Sequence, residues 1–286
     1  MNEGRIDAAV WDAFQLLANE TRLKILYALW NAPEWTATFT ELKEAVGMRD
    51  SGQFQYHLNE LSGTFVRKTD GGYTHLAGGI ALYRAMLGSV TGPESVASIP
   101  LDTTCSTCGV PLMLQYEHQV FDARCPDCEE TASNAPFLRG GLENRSNEDR
   151  ATAFDAWTRR LVALLRDGVC PWCASTVTHD FSAVEGDGTG SEGDEIHITH
   201  TCDRCGGFLR TTPVENVIDH PAVVAFCYDR GLDGTAIPHW EAAEYAAEET
   251  RLVSDDPVEV RITIRLAGDE LTLSLDEEMR VRDVEG

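Results

Sequence analysis

Nine cysteines stand in this 286-residue chain, and eight form four Cys-x-x-Cys pairs: Cys105/Cys108, Cys125/Cys128, Cys170/Cys173 and Cys202/Cys205. Each pair offers two soft ligands from one turn. Two such turns brought together complete the tetrahedral sulfur set that zinc takes. Sixteen residues separate Cys108 from Cys125, the spacing of a zinc ribbon, and the intervening VPLMLQYEHQVFDAR carries strand formers for a hairpin. Twenty-eight separate Cys173 from Cys202. The acidic, glycine-rich EGDGTGSEGDE (185–195), expected to be mobile, accounts for the extra length, and TVTHDF and IHITHT supply strands. Two structural Zn2+ sites are therefore expected, each closed by four cysteines and without an open position for hydrolytic chemistry. A redox switch, which needs exposed thiols of low pKa, and a four-thiolate iron site are the alternatives. Cys227, in the apolar VVAFCY, reads as core. His197 and His200 precede Cys202 and are the substitute ligands to consider; His118, His179, His220 and His239 are scattered. No spacing suggests a Ser/His/Asp or Cys/His set, a phosphate-binding glycine loop or HExxH, so no enzyme is expected.

The formal net charge is −24, unevenly placed. Residues 1–90 hold 8 Lys+Arg against 10 Asp+Glu, a net of −2, which leaves 15 against 37, a net of −22, for the remainder. All three lysines (Lys24, Lys43, Lys68) lie in the first part. The asymmetry points to one part built to meet a polyanion and another built to stay solvated. An acidic, lysine-poor chain is also similar to proteins of salt-loving archaea, whose salt-rich cytoplasm screens phosphate attraction. No signal peptide and no apolar run of membrane length is read, so a cytoplasmic protein is expected.

The elements that would position a DNA contact follow from periodicity. Residues 7–18 place Val10, Phe14 and Leu17 on one stripe. Asn19 caps a helix to Trp30 with Leu23, Leu26 and Leu29 inward. Thr38-x-x-Glu41 is a capping box opening ELKEAV, closed by Gly47. Asp50 and Ser51 open a helix with Phe54, Leu58 and Leu61 inward. FVRKT and YTHL flank Asp70-Gly71-Gly72 as a hairpin, and a helix over 78–90 follows. On the helix after Asp50, the outer face carries Ser51, Gln53, Gln55, Tyr56 and Asn59. Gln and Asn amides can pair with adenine edges in a major groove, while Arg49, Arg67 and Lys68 are placed for phosphates. The same residues are equally read as a solvated helix face. His57 reads as packed.

LANETRLKILYAL (17–29), FTELKEAVG (39–47), FQYHLNELSGTFVRK (54–68) and GGYTHLAGG (71–79) resemble the ArsR-type winged helix-turn-helix regulators. The resemblance covers about the first third of the chain. It implies a sequence-specific regulator of double-stranded DNA, usually a repressor, acting as a homodimer. Val10, Trp11, Phe14, Leu82, Tyr83 and Leu87 are then the interface candidates. The metal ligands that sensors of that family use are missing from these helices.

The expected architecture is α+β. A winged helix-turn-helix (1–90) is followed by a linker over 91–100 and a first zinc-ribbon-like unit (91–140). Next come a helix, the second unit and further helices (141–252), then a C-terminal β-hairpin (253–286). Within 141–252, a helix over 147–167 faces inward with Phe154, Trp157, Leu161 and Leu164/Leu165, Thr212-Pro213 and His220-Pro221 start two more, and an alanine-rich helix spans about 239–251. The acidic half would serve dimerisation, take a small-molecule effector or present a surface to a protein partner. The alternative function is a protein-interaction module of the transcription machinery.

Overall fold

In the first part of the chain, side-chain caps set where three of the helices begin. The computed structural model describes residues 8–184, 195–241 and 250–286, and the chain divides into two compact units, Met1–Thr91 and Gly92–Gly286. In the first, α1 spans Ala8–Leu17 and α2 spans Glu20–Asn31, opened by Asn19 accepting the Arg22 N–H at 3.1 Å. β1 is Thr36–Ala37. α3 (Phe39–Val46) is opened by the Thr38/Glu41 capping box and closed by Gly47 at φ 72°. α4 (Ser51–Leu61) starts with Asp50 accepting the Gln53 N–H at 2.9 Å. β2 (Val66–Thr69) and β3 (Gly72–His75) follow, then α5 (Ala77–Val90). The strands form an antiparallel sheet in the order β1-β3-β2. Gly72 is required there: at φ 131°, a Cβ would lie 2.3 Å from the Ala37 carbonyl oxygen.

Ile25, Leu29, Leu42, Phe54, Leu58, Leu61 and Val66 form the buried core of this unit. The α2 stripe differs from expectation, since Leu23 is 49% exposed and Arg22, Ile25, Leu26 and Leu29 turn inward. Positions 23, 26 and 29 drift around a helix of 3.6 residues per turn, whereas 22, 25, 26 and 29 keep one face.

The second unit begins with a four-stranded antiparallel sheet: β4 (Ile99–Thr104), β5 (Pro111–Glu117), β6 (Val120–Arg124) and β7 (Thr131–Pro136), paired in chain order. β4 starts inside the stretch expected to be linker. Its Ile99 and Leu101 are buried under α6 (Asn147–Arg166), where burial outweighs the turn-like composition before them. His118 and Gln119 turn β5 into β6 with φ of 51° and 63°, the left-handed pair of a two-residue hairpin. On α6 the inward face is Phe154, Thr158, Leu161, Val162 and Leu165. Trp157 and Leu164 are exposed instead, and Trp157 Nε1 donates to the Pro136 carbonyl at 2.8 Å.

β8 (Val177–Val184), β9 (Glu195–Cys202) and β10 (Phe208–Thr211) form a second sheet, order β10-β9-β8, followed by α7 (Pro213–Val217) and α8 (Pro221–Asp229). The loop expected at 185–195 lies outside the described residues except Glu195. Most of the helix expected over 239–251 does so too. Its described ends are a 3-10 turn at His239–Glu241 and, against expectation, a strand from Thr250. The terminal hairpin is the middle of a larger sheet: β11 (Thr250–Asp255), β12 (Val258–Leu266), β13 (Asp269–Asp276) and β14 (Val281–Glu285). The alternation in β12 and β13 needs a covered face, supplied by Val217, Val223 and Phe226 of α7 and α8. Residues 92–286 form one compact unit. α6 and β9 are shared supports: the first lies under both cysteine sets, and the second carries Ile196 and Ile198 into the core of the terminal sheet.

Candidate functional site

Four tight turns build the two cysteine centres, and all four use the same backbone device. The residue after each second cysteine takes a positive φ: Gly109 (74°), Glu129 (62°), Ala174 (58°) and Gly206 (69°). That twist folds the chain back on itself. The Cys105 N–H meets the Val110 carbonyl at 2.8 Å, and the Cys125, Cys170 and Cys202 N–H groups meet Glu130, Ser175 and Gly207 at 2.8, 2.9 and 2.9 Å. The turns before β5 and between β6 and β7 face each other, and so do those before β8 and between β9 and β10.

Sulfur faces sulfur across each pair. Cys105 and Cys128 Sγ lie 3.5 Å apart and Cys108 and Cys125 3.4 Å; Cys170 and Cys205 lie 3.7 Å apart and Cys173 and Cys202 3.5 Å. Within each quartet all four sulfurs lie within 4.8 Å of one another, so either set could hold a metal ion. These separations are far too long for a disulfide, about 2.05 Å. They approach the edge of a tetrahedron, about 3.8 Å for a metal–sulfur bond of about 2.3 Å. His197 and His200 are not needed to close the second set. His200 is wholly buried, bonded to His179 Nδ1 and Thr211 Oγ1 at 2.9 Å each, and burial lowers its imidazole to about 3.

Without metal the sulfurs divide the ionisation unequally. N–H groups of Cys205 and Arg204 donate to Cys202 and, against burial, lower its thiol to about 6. The Cys128 N–H, against burial and with help from Asp127, lowers Cys125 to about 7. Burial pushes Cys205 up to about 12; Cys128, despite a Glu130 N–H acting the other way, is raised to about 12 by burial and neighbouring thiols. A metal entering either set must displace the remaining protons. Cys227 is buried in the second core and takes no part.

In the first unit, Phe54, Leu58 and Leu61 are wholly buried and anchor α4, with His57 also inside. The opposite face presents Ser51, Gln53, Tyr56 and Asn59 as exposed side chains and Gln55 as half-buried. Gln55 Nε2 donates to Asn59 Oδ1 at 2.6 Å, and Ser51 Oγ accepts from Lys43 Nζ at 2.8 Å. Tyr56 is also met by Arg22, 5.9 Å above its ring, and Arg22 pairs with Glu60 at 3.1 Å. Arg49 is exposed at the start of α4. Arg67 and Lys68, exposed and adjacent on β2, point to opposite faces of the hairpin. Of the interface candidates, Val10, Trp11, Phe14 and Leu87 are exposed. Leu82 packs on the core, and Tyr83 is half-buried against Trp30, ring centroids 4.4 Å apart. No residue of α1 is buried, although the helix is largely apolar.

One constellation escaped the sequence reading. Asp155 on α6, His239 in the 3-10 turn and Ser133 on β7 are joined through the two imidazole nitrogens. They lie 22 and 84 residues apart in an unfamiliar order, and no spacing rule connects them. The described residues include no helix long and apolar enough to cross a membrane.

A chain with two four-cysteine centres in one acidic unit and a helical unit ahead of it is the class these features define. Residues 102–281 match the family described as domain of unknown function DUF7351, and the chain belongs to that family. Residues 10–86 match a second, domain of unknown function DUF7347. No curated protein and no solved structure matches the chain.

Proposed function

We propose that the protein is a homodimeric transcriptional regulator, with residues 8–91 acting as a winged helix-turn-helix on duplex DNA and two zinc ions stapling the acidic unit. The observation that carries this reading is the outer face of α4: amide and hydroxyl side chains stand over a fully buried Phe54/Leu58/Leu61 stripe, between Arg49 and the Arg67/Lys68 hairpin. α4 enters the major groove, where Gln55 and Asn59 exchange their mutual bond for base edges. The two faces of β2 put a cation toward each backbone of the groove beside it. The exposed apolar side chains of α1 and the Leu87 end of α5 pair two protomers, setting two recognition helices about 34 Å apart. A gel-shift assay across the chain's own upstream region tests the reading. Sequence-specific retardation is expected, with no preference over random duplex at any salt concentration counting against it.

A second reading rests on a different surface. Beside the second cysteine centre, Trp172 and Phe208 are 44% and 67% exposed. Trp172 lies flat enough on Gly207 that a Cβ there would sit 2.6 Å from its ring. Exposed aromatics held in place suit a protein contact, so the acidic unit is the partner-binding half. Trp172→Ala with Phe208→Ala should leave DNA affinity unchanged while abolishing regulation in the cell.

A further inference from the structure

We propose that Ser133 is a base-activated nucleophile that accepts the acyl group of small carboxylic esters, with His239 as its general base and Asp155 as the residue that positions the base. His239 Nδ1 lies 3.0 Å from Asp155 Oδ1, and His239 Nε2 lies 2.9 Å from Ser133 Oγ. An ionised carboxylate only accepts hydrogen bonds, so Nδ1 carries the proton. Nε2 of the neutral ring is then a lone pair aimed at the serine hydroxyl. These are the roles that define a Ser-His-Asp triad, which is recognised by geometry and not by chain order.

The support for the imidazole is extensive. Asp155 Oδ1 also accepts the main-chain N–H of His239 at 2.6 Å, and Arg159 Nε reaches both carboxylate oxygens at 3.2 and 3.0 Å. Phe154 and Trp240 wall the ring edge-on, with centroids 5.1 and 5.0 Å away. Only 4% of His239 is exposed, so the base is fixed and dry. Ser133 is half-buried between the exposed Ala132 and Asn134. It pairs with Ala123 while Thr131 pairs with Arg124, so Ala132 is an extra residue in the strand. Such a bulge re-aims the side chain beside it.

The cavity on the α6 side of His239 holds about 10 Å³, room for one water at most. An acyl donor therefore has to reach the half-buried Ser133 from the solvent side of β7. Small donors are taken without a binding pocket, and the rate rises linearly with their concentration. In the step itself, Oγ bonds to the ester carbonyl carbon as its proton passes to Nε2. The carbon–alkoxy bond breaks, and the leaving alkoxide takes that proton. Water then repeats the sequence on the acyl-serine, releasing the acid and restoring the hydroxyl.

The test uses the full-length, metal-loaded protein with a fluorophosphonate probe and p-nitrophenyl acetate. One probe should attach per chain, mapped to Ser133 by mass spectrometry, with ester hydrolysis above the buffer rate. Ser133→Ala should abolish both with unchanged circular dichroism and metal content. Asp155→Asn should fold and lower the hydrolysis rate by several orders of magnitude by presenting the wrong tautomer, as triads lose roughly 10⁴-fold on that change. It should also flatten the pH–rate profile, which a merely structural role would not move. A folded wild-type protein that takes no probe at Ser133, or hydrolysis that survives Ser133→Ala, overturns the proposal.

Discussion

Removing the proposed zinc ions should dismantle the acidic unit and spare the helical one. The inner cysteine of each turn, Cys105, Cys125, Cys170 and Cys202, is 4% exposed or less, and all four belong to one apolar cluster with Leu114, Phe121, Phe154 and Leu165. Both centres therefore hold the same core, and neither can open alone without exposing that core. Zinc bound by four thiolates contributes about 10–16 kcal/mol to folding. A domain's whole margin is about 5–15 kcal/mol, so the loss of even one ion is comparable to it. Residues 8–91 have a separate core without a cysteine. A strong chelator should release two zinc ions per chain to a colorimetric indicator. The near-ultraviolet dichroism of Trp240, stacked on Phe154 at 10° and 6.1 Å, should vanish. Helical dichroism from α1 to α5 should persist and melt as a separate transition. A metal-free protein that still melts its acidic unit cooperatively at the original temperature refutes the reasoning, as does a stoichiometry other than two.

Four further outcomes are expected. In the proposed DNA-bound dimer, replacing Arg67 and Lys68 by Ala would remove up to four phosphate contacts, so the slope of log K against log salt should become shallower by about 3.6, at about 0.9 per phosphate; fluorescence anisotropy over a salt series measures it. Trp11→Glu with Phe14→Glu should give a folded monomer by light scattering, since neither side chain is buried within the protomer. Ala174→Gly relieves a left-handed φ of 58° and should stabilise the metal-loaded unit by up to about 1 kcal/mol, a rise of about 2–4 °C in Tm. Burial acts to raise the Asp155 carboxyl, but the His239 bonds and Arg159 outweigh it and hold it below the usual 3.8. Its stabilisation is complete above that pH and is lost as pH falls through the lower folded value. Asp155→Asn should therefore cost about 1–3 kcal/mol at neutral pH, and the gap to wild type should close in strong acid in urea titrations.

Some of this protein was legible from spacing alone. The helix caps at Asn19, Thr38 and Asp50 involve partners three residues away, so local sequence decides them. The Cys-x-x-Cys turns are equally local, and their number already implied two quartets. The α4 stripe obeyed the helical period because a single core faces it. The misread stripes of α2 and α6 failed because several apolar residues competed there. The direction of the core, not the count of leucines, turned Leu23, Trp157 and Leu164 outward.

Other features required the fold. Strands β4, β11 and β14 each pair with the strand next to them in sequence, but the helices that cover their sheets, α6 for the first and α7 and α8 for the last, lie far from them along the chain. That one apolar cluster underlies both cysteine centres follows from α6 lying beneath them, which no spacing encodes. The meeting of Ser133, Asp155 and His239 depends on a strand, a helix and a turn converging from three parts of the chain. Hydrogen-bond partners at such separation are selected by packing, because only the folded core brings their backbones within reach.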